Sequence, residues 1–163
     1  ICGHPTSLCV SWDRRCVLET VLYLWWRRQI GDSMWYGAVN FIGSLLLFAV
    51  KHTVLRPRPS HQLVSIGGFS FPSGHPLGLT VIVLTVVALL WPHLQRRWER
   101  WLLALLAAII ILAIMDSRVY LRVHYASDVT AGLLLAAGWF MLATALRPHL
   151  HKWLIEPITT YPD

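Results

Sequence analysis

The sequence predicts an all-α fold, a polytopic bundle of membrane helices forming a single domain over residues 1–163. Three observations carry that prediction. Hydrophobic residues make up 56% of the chain and charged residues only 13%, about half the ~25% charged share of soluble domains. The apolar residues gather in long uncharged runs rather than alternating with polar ones. Tryptophans stand at the ends of those runs (Trp25, Trp26, Trp35, Trp91, Trp98 and Trp101), where aromatic belts meet lipid headgroups.

The elements follow in order. The first run, Cys16 to Trp26, is short and carries Glu19. Extending it back to Ser7 brings in Asp13, Arg14 and Arg15. A central charge costs about 2.5–3.5 kcal/mol on insertion scales, so this reads as a helix with a wet or protein-lined N-terminal end. Four stronger runs follow: Met34–Val50, Pro76–Trp91, Trp101–Met115 and Val129–Leu146. Each reaches the roughly 17–25 residues of a spanning helix once a few flanking residues are added. Cys2, Cys9 and Cys16 recur at a seven-residue spacing, near one helical face, in a pattern that does not read as a metal site.

The charge distribution orients the bundle. Net charge is +6, from 14 basic and 8 acidic residues. The segments Trp26–Gln29, Gln95–Arg100 and Arg147–Lys152 carry basic residues with little acid and alternate with the four strong helices. They are expected to be cytoplasmic loops under the positive-inside rule. Segments Arg56–Pro76 and Asp116–Asp128 are then expected together on the outer side of the cell membrane. Without a soluble basic domain, nucleic acid is excluded as a partner.

Three polar groups interrupt that outer side. In Lys51 to Pro59, Lys51 and Arg58 are seven residues apart, while Pro57 and Pro59 end the helix before Arg58. Alone, the pair reads first as cations snorkelling at a membrane edge. In Phe71–Gly78, the residues Pro72, Ser73, Gly74 and His75 precede a helix expected to begin near Pro76. A helix N-terminus attracts anions, Gly74 permits close approach, Ser73 adds a hydroxyl, and His75 exchanges a proton near neutrality. The plain alternative is Ser73 as a helix cap. In Ser117 to Asp128, His124 and Asp128 are four apart and are expected to share a helix face and hydrogen-bond. A carboxylate on one imidazole nitrogen leaves the other free as base or nucleophile. Arg118 adds a third cation, and an interfacial ion pair is the plain alternative.

Taken together the three groups are the parts of a phosphoryl-transfer site: cations for the equatorial oxygens, a nucleophile and an acid. No carboxylate cluster dense enough to hold Mg²⁺ is apparent, so no metal or other cofactor is expected and the cations take its place.

In these residues the chain resembles the type-2 phosphatidic acid phosphatase family, the membrane branch of a superfamily that also contains vanadium haloperoxidases. The family motifs K-x6-R-P, P-S-G-H and S-R-x5-H-x3-D correspond to Lys51…Arg58-Pro59, Pro72-Ser73-Gly74-His75 and Ser117-Arg118…His124…Asp128. The resemblance covers 34–146. It implies a six-helix core whose first helix is expected to be missing from this chain. It implies that His124 attacks phosphorus to form a phosphohistidine, that Asp128 holds it, and that His75 protonates the leaving alkoxide and then activates water. Lys51, Arg58, Arg118, Ser73 and Gly74 would hold the phosphate oxygens. The implied enzyme is a hydrolase of a lipid phosphomonoester or diphosphate. The alternatives are a lipid phosphotransferase with the same site and a non-catalytic anion-binding membrane protein, which would need neither histidine. Two residues depart from the pattern: Asp116, where an uncharged residue is expected, and Arg122, where family members often carry glycine. They are expected to pair with each other, to reach a head group, or to be solvated at the interface.

Overall fold

The structure, a computed structural model, describes residues 6–64 and 66–154. Those residues form five α-helices: α1 Thr6–Trp26, α2 Ile30–Val54, α3 Gly74–Leu90, α4 Arg97–Tyr120 and α5 Ala126–Leu154, with a 3₁₀ turn at Trp91–His93. Among the described residues, four segments are long and apolar enough to cross a membrane: Ile30–Val54, Gly74–His93, Arg97–Tyr120 and Ala126–Pro148. The apolar part of α1 is the shorter Val17–Trp26, and Glu19 on it is exposed. The all-α bundle expected from the sequence is therefore observed. The cysteine side chains lie outside the described residues.

α3 packs on α2, α4 and α5, and α1 packs on α2. The core joins Trp35 and Val39 of α2, Leu77 and Val81 of α3, and Ala136 and Ala143 of α5. The small Ala136 and Ala143 let α5 approach closely, as membrane helices require where lipid offers no hydrophobic drive. Large apolar residues such as Phe48, Leu105, Ile109 and Leu134 face outward, toward lipid rather than water. Trp35 departs from the expected belt. It is buried and donates from Nε1 to the Ala143 carbonyl (3.4 Å), whereas Trp26 and Trp101 are exposed at helix ends as expected.

Three boundaries differ from the sequence reading. α3 starts at Gly74, two residues before Pro76, which then occupies the first turn, where its missing N–H is no loss. α4 runs to Tyr120, carrying Ser117 and Arg118 on its last turns. The basic segment Arg147–Lys152 is not a loop but part of α5, which passes through Pro148. No glycine or asparagine follows Leu146 to supply a left-handed cap, so only the proline opposes continuation.

The remaining ends are decisive turns. Leu55 closes α2 in the left-handed conformation (φ 50°) and donates to the Lys51 carbonyl. Arg56 precedes Pro57, which excludes further helix. α4 closes in a Schellman motif: Val123 N–H donates to the Arg118 carbonyl and Arg122 N–H to Val119. Arg122 takes the left-handed position (φ 55°) that glycine usually fills.

Candidate active site

The α2–α3 connection and the α4–α5 turn meet at one end of the bundle. Leu63 N–H donates to the Leu121 carbonyl (3.1 Å), and Ser73 N–H donates to the Asp128 carbonyl (3.0 Å). Arg58 braces the same seam, donating from Nε to the Gly68 carbonyl (3.1 Å) and from Nη1 to the Val123 carbonyl (2.9 Å). The turns of the bundle thus bring the three motifs together.

His124 is 4% exposed and lies in the turn ahead of α5. Its Nδ1–H donates to the Ser70 carbonyl at 2.8 Å, and its Nε2 accepts from Arg58 Nη1 at 3.3 Å. A carbonyl only accepts and a guanidinium only donates, so the pair fixes the tautomer: proton on Nδ1, lone pair on Nε2. Burial first, and then the Arg58 charge, push the ring's pKa down to about 4, with Lys51 acting the same way. The Ser70 carbonyl and Asp128 oppose that shift. Burial also lowers Arg58 from its ordinary value, against the pull of Asp128.

The expected His124–Asp128 hydrogen bond is not formed. Nδ1 and Oδ2 are 3.7 Å apart. α5 begins at Ala126, so His124 is off the helix and not on the face of Asp128. The buried Asp128 carboxylate is occupied otherwise. Oδ1 accepts from Arg56 Nη1 (2.7 Å); Oδ2 accepts from the Ser70 hydroxyl and from Tyr125 N–H (2.9 Å). The last bond is half of a capping box, and the negative charge suits the helix N-terminus. Arg56 also donates to Ser127 Oγ (2.8 Å) and lies over the Tyr125 ring at 4.3 Å.

The other expected residues stand around this pair. Lys51 is on the last turn of α2, Arg118 on that of α4, and His75 on the first turn of α3. His75 is within electrostatic reach of Arg118, Lys51 and Arg58. Ser73 occupies the N-cap position of α3 but makes no capping bond, which removes the plain cap reading. Ser73 Oγ and Arg118 Nε are buried without a hydrogen-bond partner, although buried donors are almost always satisfied. A β-carbon at Gly74 would press on Leu47 at 3.1 Å. Among the described residues, no group of three or more His, Cys, Asp and Glu could hold a metal ion.

Asp116 and Arg122 are both exposed and do not pair with each other. Arg122 instead lines an open cleft of about 410 Å³, shared with Ser60, His61, His124 and Tyr125. The sequence reading missed Arg56, Ser70 and Gly132. A buried acid demands a cation, which is the signal that pointed to Arg56. Gly132 is signalled only by the contact it permits, as α5 passes the start of α3.

A family model described as PAP2 superfamily matches residues 32–152. The chain is 30% identical over 136 residues to phosphatidylglycerophosphatase B of Bacillus subtilis (strain 168), covering 76% of this chain and 67% of that protein. It is 35% identical over 127 residues to lipid A 1-phosphatase of Rhizobium etli, covering 69% of this chain but only 50% of that relative's length. The crystal structure of a transmembrane PAP2-type phosphatidylglycerolphosphate phosphatase from Bacillus subtilis shares the fold, with a TM-score of 0.73 at 23% identity over 93% of this chain and 81% of that one.

Proposed function

The chain belongs to the PAP2 superfamily, and from that premise we propose that it hydrolyses the phosphomonoester or diphosphate of a membrane lipid through a phosphohistidine on His124, without a metal ion. The observation that carries this reading is the state of His124: a neutral ring locked by the Ser70 carbonyl, with the Nε2 lone pair against the Arg58 guanidinium. An anion drawn to Arg58 is delivered to that lone pair. The relatives named as phosphatidylglycerophosphatase and lipid A 1-phosphatase support a lipid phosphate as the substrate class.

In this mechanism Lys51, Arg58 and Arg118 neutralise the phosphoryl oxygens, and Ser73 Oγ and Arg118 Nε, both buried without a protein partner, donate to them. The first-turn N–H groups of α3, beginning at Gly74, add theirs. Nε2 attacks phosphorus as the bond to the lipid oxygen breaks, and His75 gives its proton to that oxygen. A water molecule then attacks the phosphohistidine, its proton returns to His75, inorganic phosphate leaves, and His124 is restored. Preorganised charge of this kind does the work of a Lewis-acidic ion.

Arg122, exposed on the cleft beside His124, offers a cation to the head group. The site lies at the end of the bundle opposite Arg27, Arg28, Arg96 and Arg97, which supports an outward-facing site in the cell membrane under the positive-inside rule. The test is release of inorganic phosphate from a panel of phospholipid and polyprenyl phosphates in detergent. Transfer of phosphate to a lipid acceptor without free phosphate would replace hydrolysis by transfer. No turnover on any member would overturn the reading.

A further inference from the structure

Asp128 is the only acid in the matched motifs, yet its hydrogen bonds go to groups other than the histidine beside it. We propose that Ser70 and Arg56 are positioning residues that engage the Asp128 carboxylate, so that the His124 ring is oriented by a main-chain carbonyl instead of by a carboxylate. The proposal rests on the assignment of His124 as nucleophile.

Every polar atom of Ser70 takes part. Its N–H donates to the Arg56 carbonyl (2.8 Å), its carbonyl accepts from His124 Nδ1, and its hydroxyl donates to Asp128 Oδ2. The residue is wholly buried, so solvent substitutes for none of these bonds. Asp128 Oδ2 already accepts from Ser70 and from Tyr125 N–H, and Oδ1 accepts from Arg56. Both oxygens are therefore engaged, and Nδ1, at 3.7 Å, is left to the carbonyl.

The chemical consequence concerns the proton. An imidazole bonded directly to a carboxylate is favoured as imidazolium, whose Nε2 carries a hydrogen and cannot attack. A carbonyl fixes the same tautomer without a full negative charge. The groups acting on His124 are consistent: Arg58 and Lys51 are cationic, Asp128 is the anion, and Arg56 pairs with its other oxygen, Oδ1. Once the ring takes on positive charge as the phosphohistidine, Asp128 is close enough to stabilise it through space.

The deciding experiment is a ¹⁵N-histidine NMR titration of the intact chain in detergent, paired with the pH profile of kcat/KM on a lipid phosphomonoester. In Ser70→Ala, Oδ2 loses the hydroxyl but keeps Tyr125 N–H, so its charge is freer to act on Nδ1 while the main-chain carbonyl stays, and the His124 titration is expected to move upward by at least about one pH unit. Arg56→Gln removes the cation behind Asp128 and is expected to move it the same way, and Arg56→Lys to restore the wild-type value. The arginine series, at a partly exposed position, carries the test if Ser70→Ala fails to fold. An unmoved titration in Arg56→Gln overturns the proposal, whatever happens to the rate. The NMR arm needs no turnover, so a wild-type protein inactive on every lipid phosphate would overturn the functional reading while the titration still decides this one.

Discussion

Gly132 of α5 stands against the main-chain carbonyl of Ser73, and a β-carbon in its place would lie 2.7 Å from that oxygen. The contact sets how closely α5, which carries Asp128, approaches the start of α3, which carries His75. Gly132→Ala is expected to force the two helices apart, costing about 1–3 kcal/mol as overpacked sites do. Activity is expected to fall more than tenfold while the α-helical circular dichroism at 25 °C is unchanged. Thermal melts with parallel phosphate-release assays check both, and wild-type activity in Gly132→Ala would show that this spacing is not critical.

The two histidines separate by leaving group. His124→Ala is expected to reduce turnover of a lipid phosphate and of p-nitrophenyl phosphate alike, by at least about a thousandfold for loss of a nucleophile. His75→Ala is expected to cripple the lipid substrate far more, because an alkoxide needs a proton on leaving and p-nitrophenolate hardly does. Burst kinetics isolate the first step. Equal losses in that step would reassign the acid.

The low-pH limb of kcat/KM is expected near pH 4. Burial and the Arg58 charge push the His124 pKa from 6.5 down to about 4, so the proposed nucleophile stays neutral down to that pH and is lost below it. The same shift makes the unfolded chain bind more protons between those two values. The stability contributed by the neutral ring is complete above pH 6.5 and lost as pH falls toward 4. Chemical denaturation of His124→Gln, compared with wild type at pH 7.5 and pH 4.5, is expected to show a smaller pH dependence in the variant.

Arg122→Ala is expected to raise KM about two- to fivefold for a lipid bearing a second anionic group, with kcat nearly unchanged, as befits an exposed and screened charge. Arg118→Ala, which removes a buried donor, is expected to strike kcat. A KM effect in Arg122→Ala that persists at 1 M salt would argue against a charge contact.

Activity is expected to survive EDTA under the proposal that Lys51, Arg58 and Arg118 supply the positive charge. Loss of activity restored only by Mg²⁺ would overturn that arrangement.

Much of the molecule is legible in the sequence because lipid imposes few solutions. Long uncharged runs must be helices, and polar residues that interrupt them need a reason to be there. Individual contacts are less legible. The i, i+4 spacing of His124 and Asp128 implies a hydrogen bond only if the helix begins before His124, and a capping interaction of Asp128 itself begins it later, at Ala126. In Arg56-Pro57-Arg58-Pro59, neighbouring cations diverge: one meets Asp128 and the other His124. Only the path of the connection to α3 decides which goes where. Trp35 reads as an interfacial anchor by its place in the run, but its position on the helix turns it inward to Ala143.

The connection from Leu55 to Ser73 contains no helix or strand among its described residues, and its ties through Leu63, Arg58 and Ser70 all run to the α4–α5 turn or to His124 and Asp128. A connection without regular structure, laid across the end of the bundle, is expected to open at lower free energy than the helices beneath it. Catalysis and helicity should therefore be lost at different temperatures. Heating is expected to inactivate the enzyme while the bundle is still folded in the membrane, and cooling to return activity without any helix having to reinsert.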